Sequence, residues 1–290
     1  MSFASLALVV LAAFVHATWN LMAKRGAAAG PAFVFASNIV ACVAYAPWVA
    51  WLLARGSVDW SWAVATCFVV SGLLHLAYSL CLQRGYQVAD LSVVYPVARG
   101  TGPMLSSIGA FLLLGEVPTS LGLIGLAAVI AGIVLISTQG DLTAFRQPKG
   151  QAGLWWGMAT GALIASYTVV DAYGVKVLLI APVILDWFGN LVRFALLAPF
   201  VPRSRSRTLE LMQGKWWLAI GVGLLSPLSY ILVLAALEMG AAVSVVAPAR
   251  EMSMMIGALF GMLILRERVG PWRLIGCAVL IGGVVMLTAS

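Results

Sequence analysis

Charge is what this sequence has least of. Lys, Arg, Asp and Glu make up 9% of its 290 residues, against about a quarter in a soluble domain, and only 10 of them are acidic. With 62% hydrophobic residues, such a chain cannot cover a water-facing surface, so soluble enzymes and soluble binding modules are excluded. The basic excess, +7 with a pI near 9.5, does not indicate nucleic acid, because the basic residues sit in short loops between apolar runs. The four cysteines, Cys42, Cys67, Cys81 and Cys277, lie inside apolar runs without metal-type spacing and read as buried free thiols, with no disulfide and no metal site. No Walker-type loop, H-E-x-x-H, G-x-S-x-G or paired-Asp motif occurs, so nothing points to ATP drive, a cofactor or an intramembrane enzyme. Nor does any stretch resemble a channel's selectivity filter or a ring of like charge.

What the sequence has instead is ten apolar runs, each long enough to cross a hydrocarbon core of about 30 Å as a helix. They fall near 5–23, 32–53, 60–82, 91–114, 120–138, 153–175, 182–201, 216–237, 243–265 and 272–289. The first lacks a basic leader and a cleavage site, so it is expected to be retained as a membrane helix. Most of the eleven tryptophans stand near the ends of runs, as in an interfacial belt; Trp19 does not.

The runs fall into two copies. Ser92-Val93-Val94-Tyr95-Pro96-Val97-Ala98-Arg99 returns as Ser244-Val245-Val246-Ala247-Pro248-Ala249-Arg250, each copy running on to a glutamate, Glu116 or Glu267. Leu123-Ile124-Gly125 and Gly132 return as Leu274-Ile275-Gly276 and Gly283. The offset is 152 up to the prolines and 151 beyond them, so the second copy lacks one residue. The division is an N-terminal repeat at 1–139, a connecting loop at 140–152 and a C-terminal repeat at 153–290. Five helices per copy is an odd number, which forces the second copy to enter the membrane from the opposite side. The expected fold is an all-α integral membrane protein of ten transmembrane helices, two inverted five-helix repeats around a central cavity near the midplane. Loops after odd-numbered helices hold 12 of the 17 basic residues, which puts both termini outside the cytoplasm of a bacterial-type inner membrane.

Polar residues inside the runs mark candidate sites. Arg99 lies roughly 12 Å into the fourth helix, on a face with Ser92, Tyr95, Gly102 and Ser106. Substrate contact is preferred for it over a structural anchor. In the second copy the missing residue swings Arg250 about 100° away if the helix stays regular, and Glu251 takes the place equivalent to Arg99. The two form either a gating pair or a zwitterion site, with Arg99 for the carboxylate and Glu251 for the ammonium; a bulge at Pro248 would restore Arg250 instead. Pro96 and Pro248 are hinge candidates, with tolerated kinks as the alternative. His16, Trp19 and Asn20 share one helical face, and His75 and Tyr78 another. Trp19, Asn20, His75, Tyr78, Tyr95, Tyr167 and Tyr230 are therefore substrate-contact candidates beside Arg99 and Glu251. His16, His75 and Glu251 are candidates for carrying a proton, although a hydrogen-bonded packing role is as common for a lone intramembrane histidine. Asp186, Asn190 and Arg193 form a stripe that satisfies itself, and the glycine-bearing fifth and tenth helices are expected to pack together away from the cavity.

Ala17-Thr18-Trp19-Asn20, the proline-containing fourth and ninth helices, Leu114-Gly115-Glu116 and Leu265-Arg266-Glu267-Arg268 together resemble the drug/metabolite transporter superfamily, EamA-type branch, over the whole chain. The resemblance implies a non-enzymatic carrier of amino acids and other small metabolites, often an exporter, with a cavity lined by helices 1, 3, 4, 6, 8 and 9. Many relatives keep their termini in the cytoplasm; the charge distribution here points the other way. The expected function is export of small metabolites by alternating access, amino acids with aromatic or bulky apolar side chains leading, with lipophilic or lipid-linked cargo as the alternative. The expected partners are a small-molecule substrate and the bilayer, and a duplicated chain of this kind can work as a monomer.

Overall fold

Apolar runs of about 20 residues satisfy every interior backbone group only as helices when they leave water, and helices dominate the computed structural model. It describes all residues except 27, 28, 30, 90, 147, 201–204 and 265–269. The motif 265–268, with Glu267, lies outside the described residues, as does the side chain of Ser92. We number the long helices α1 (Phe3–Gly26), α2 (Pro31–Ala54), α3 (Trp62–Val88), α4 (Leu91–Leu113), α5 (Ser120–Thr138), α6 (Pro148–Lys176), α7 (Pro182–Leu197), α8 (Trp216–Glu238), α9 (Val243–Ala249 and Met252–Ile264) and α10 (Pro271–Ala289).

Seven of these, all but α4, α6 and α7, are long and apolar enough among the described residues to cross a membrane by length and composition alone. The three exceptions carry polar side chains that the others shield: Arg99 on α4, Asp171 on α6, and Asp186, Asn190 and Arg193 on α7. The seventh expected span is also shorter than its apolar run, 16 residues followed by the 3-10 turn Ala198–Phe200. Outward-facing side chains are large and apolar, Trp62 90%, Leu112 77% and Trp155 74% exposed, as suits a lipid-facing surface.

The neighbour relations carry the inversion. Glycines one turn apart on α6, Gly153, Gly157 and Gly161, fit against Val93, Val97 and Thr101 of α4, so these two helices run parallel. In α5 and α10 the order is reversed: Gly125 meets Gly283, and Gly132 meets Gly276, so the repeat-equivalent helices are antiparallel. A Cβ built on Gly132 would stand 2.8 Å from the Gly276 carbonyl oxygen, which is why this close approach needs glycine.

Several contacts join a residue to its own repeat equivalent or come in exchanged pairs. Asn38 Nδ2 donates to Asn190 Oδ1 at 3.3 Å, and the two stand 152 positions apart. Phe35 stacks on Phe194, and Trp187 Nε1 donates to the Cys42 carbonyl at 2.8 Å; adding the repeat offset to one pair gives the other. A pseudo-two-fold axis therefore passes between α2 and α7, between α4 and α9, and between α5 and α10. The α7 stripe does not close by direct contact of its charges: Asn190 bridges them, donating to Asp186 Oδ2 at 2.8 Å and accepting from Arg193 Nη2 at 2.6 Å.

The turn after α4 ties the halves together at one end. Gly115 takes a φ of +70°, a conformation open to glycine without strain, and turns Glu116 back across the repeat boundary. The Glu116 carboxylate accepts the Val243 amide at 2.6 Å and the Ser244 amide at 3.0 Å, two of the free donors that begin α9. It also accepts the Ser244 hydroxyl and lies 3.5 Å from Lys176 Nζ.

Candidate functional site

Where α4 meets α9 near the axis, two arginines share one glutamate. Arg99 Nε lies 2.8 Å from Glu251 Oε2, and Arg99 Nη2 donates to Ser253 Oγ at 3.3 Å. Arg250 Nε lies 3.9 Å from the other carboxylate oxygen. Arg99, Arg250 and Glu251 are 8%, 6% and 1% exposed, so their charges answer one another rather than water. Arg99 and Glu251 are also 152 positions apart, repeat equivalents facing each other across the axis.

The expectation that a regular ninth helix would turn Arg250 away is corrected here. The helix stops at Ala249 and resumes at Met252. Glu251, Ser253 and Met254 donate their amides three residues back, at 3.0, 3.1 and 2.9 Å, in a tightened turn. The tightened turn begins just beyond Pro248, which itself lies inside the first segment. Both Arg250 and Glu251 consequently point into the bundle. Its repeat partner Pro96 behaves differently, since α4 continues unbroken through both Pro96 and Pro103.

Beside the ionic group stands a set of rings from three helices. His75 of α3 stacks on Tyr167 of α6 with centroids 4.0 Å apart and meets Tyr230 of α8 edge-on at 5.2 Å; Tyr78 meets Tyr167 edge-on at 5.7 Å. Tyr95 lies under the Arg99 guanidinium at 5.8 Å. Tyr78, Tyr95 and Tyr167 are within electrostatic range of Arg99, as Tyr167 and Tyr230 are of Arg250, so rings and charges form one site. His16 of α1 lies within electrostatic range of both arginines and packs edge-on against Trp19 at 4.9 Å.

Two expected site residues make their hydrogen bonds outside this group. Trp19 Nε1 donates to Ser229 Oγ at 3.1 Å, joining α1 to α8. Asn20 is exposed, and its amide donates to the His16 carbonyl at 3.0 Å on its own helix.

Asp171 was not among the expected site residues, yet it anchors the rings. It is 0% exposed; Tyr230 donates its hydroxyl to Oδ2 at 2.5 Å, and His75 Nε2 lies 3.0 Å from the same oxygen. The repeat offset would have singled it out. Ser5, Val9, Ala12 and Ala13 of α1 are buried, and so are Gly157, Gly161, Ile164 and Ala165, 152 positions later on α6. In that register Asp171 is the counterpart of Trp19, and Thr168 that of His16.

The assembled site offers a positive pole, a carboxylate held by two arginines, and an aromatic wall, all near the axis about which the halves are related. That arrangement suits binding of a small amphipathic molecule with an anionic group. A solved structure, described only as the crystal structure of a protein, is 19% identical, covers 100% of this chain and 98% of its own, and superposes with a TM-score of 0.78; it establishes the shared fold. A stretch of 79 residues is 35% identical to the multidrug resistance protein EbrB of Bacillus subtilis, spanning 27% of this chain and 62% of that protein. The pattern of the EamA-like transporter family matches residues 3–138 and again 151–289, once in each half, and the chain belongs to that family, a multi-pass membrane transporter of the drug/metabolite transporter superfamily.

Proposed function

We propose that the protein is a secondary transporter that exports small carboxylate-bearing metabolites by alternating access, with aromatic and bulky apolar amino acids as the leading class. The observation that carries this reading is the buried Arg99–Glu251–Arg250 group beside the rings of His75, Tyr78, Tyr167 and Tyr230. Arg250, at 3.9 Å from Glu251 against 2.8 Å for Arg99, is the arginine a substrate carboxylate would capture first. Glu251 is committed to arginines on both oxygens, so the substrate's ammonium is assigned to the aromatic wall rather than to Glu251. The halves rock about the axis, with the break after Pro248 and the proline-bearing stretch of α4 at Pro96 as hinges. The carrier works as a monomer in the cell membrane with both termini outside the cytoplasm, as the basic loops favour.

The test is counterflow of labelled phenylalanine into proteoliposomes preloaded with unlabelled amino acid, wild type beside Arg99→Ala and Glu251→Ala. Accumulation by wild type alone supports the assignment. Absence of counterflow from folded wild type removes phenylalanine from the substrate class. The stretch similar to a multidrug resistance protein favours a second reading, transport of lipophilic drugs; the same vesicles loaded with a lipophilic drug separate the two.

A further inference from the structure

We propose that Asp171 is a proton-binding site inside the bundle, loaded through His75 and held between His75 and Tyr230. Its two carboxylate oxygens are treated unequally: Oδ2 meets both the Tyr230 hydroxyl and His75 Nε2, whereas Oδ1 is buried without a hydrogen-bond partner. Buried carboxylates ordinarily collect donors on both oxygens or face a fixed cation. Here the lysine five positions further along α6, Lys176, is directed to Glu116 instead. Asp171 has no exposed surface, so an ammonium group or a metal ion would have to displace rings to reach it, while a proton needs no space. His75 has a side chain 14% exposed and so gives the fully buried carboxylate a neighbour that water can reach.

The transfer balances within this pair. A proton arriving at His75 Nδ1 allows the ring to pass its Nε2 proton to Asp171 Oδ2; the ring is neutral before and after, and the carboxylate becomes a carboxylic acid. The ionisable groups facing Asp171 are Cys67 and His75 from α3, Tyr230 from α8 and Asp186 from α7, and Tyr167, one turn back on its own helix, stacks on His75. Arg193 of α7 and Arg250 of α9 both act on His75, Arg250 also acts on Tyr230, and α4 brings Arg99 to Tyr167. By formal count Arg99, Arg250 and Arg193 stand against Glu251, Asp171 and Asp186. Protonation of Asp171 leaves three arginines opposite two carboxylates, so a bound proton and a bound carboxylate favour each other. That coupling rests on the carrier reading above; the proton site itself does not.

The test is infrared difference spectroscopy of the protein in lipid vesicles as the medium is taken from neutral to acid. A protonated-carboxyl C=O band is expected in wild type and in Asp186→Asn, and is lost in Asp171→Asn. In Tyr230→Phe, which keeps the carboxyl and removes one hydrogen bond, the band is retained at a shifted frequency. A wild-type titration matching that of Asp171→Asn, or a band unmoved by Tyr230→Phe, overturns the proposal; the second comparison stands even where the Asp171 variant does not fold. Because the band requires no substrate, failed counterflow leaves this test intact, and active counterflow without the band removes the proton site alone.

Discussion

Glu251→Gln is expected to damage the fold more than Arg99→Gln, although the two residues form one ion pair. Breaking a buried pair by removing one partner costs about 3–5 kcal/mol, because the remaining charge is stranded. In Arg99→Gln, Glu251 still has Arg250 at 3.9 Å, so the loss falls at or below the lower end of that range. In Glu251→Gln both guanidiniums are stranded, at 8% and 6% exposure, and the loss falls at the upper end or beyond. The double variant strands one cation and lies between them. The expected order of stability is wild type, Arg99→Gln, Arg99→Gln/Glu251→Gln, Glu251→Gln, with the last lowered by roughly 10–20 °C or more in apparent Tm. Detergent-solubilised membrane proteins unfold irreversibly, so the measurement is an apparent Tm at one fixed scan rate. If Glu251→Gln proves as stable as Arg99→Gln, Glu251 does not serve two arginines and the charge argument for the site fails.

Two further outcomes test the scaffold. Gly132→Ala places a Cβ 2.8 Å from backbone atoms of α10 and should cost about 1–3 kcal/mol, whereas Gly282→Ala meets nothing within 4 Å and should leave the apparent Tm unchanged; equal behaviour would refute the close α5–α10 approach. Glu116→Ala removes the acceptor for the first two amides of α9 and should speed hydrogen exchange at Val243 and Ser244 by roughly 2- to 30-fold, the equivalent of a lost helix cap, while unchanged exchange would show that water replaces the carboxylate without loss.

Helix positions were legible because each apolar run must satisfy its own backbone, and the inversion followed from five helices per copy. The pairing of α5 with α10 was legible in the spacing of Gly125 and Gly132 against Gly276 and Gly283, since small residues at matching heights let helices approach. What failed was local and geometric. Periodicity carries a regular helix through Pro248, and only the structure shows three-residue hydrogen bonding beyond it bringing Arg250 inward with Glu251. Asp171 escaped because the helix faces were read one at a time. Its partners His75 and Tyr230 belong to α3 and α8, and only the neighbour relations of the folded bundle bring those helices to α6. Asn20 shows another side of this: helical spacing groups it with His16, and in the structure its amide donates to the carbonyl one turn back.

The residue missing from the second copy has a physical reason on the axis. In an inverted repeat, a side chain near the pseudo-two-fold meets its own equivalent, so only self-complementary residues can be kept in both copies. Asparagine qualifies, since one amide can donate to the other, as Asn38 does to Asn190. Glycine is kept in both copies too, in the exchanged contacts of Gly125 with Gly283 and Gly132 with Gly276, because two backbones can touch. Arginine does not qualify: two guanidiniums about 4 Å apart would repel by roughly 4 kcal/mol at an effective dielectric constant near 20. Between proline and glutamate the first copy spans Pro96 to Glu116 and the second Pro248 to Glu267, one step fewer, and the shortening puts Glu251 where a faithful copy would put a second arginine. Arg250 is displaced by one position, and the tightened turn returns it to the other oxygen of the same carboxylate. A symmetric scaffold thereby acquires a polar, asymmetric centre: Arg99 faces Glu251 across the axis, and Trp19 on one wall is answered by Asp171 on the other.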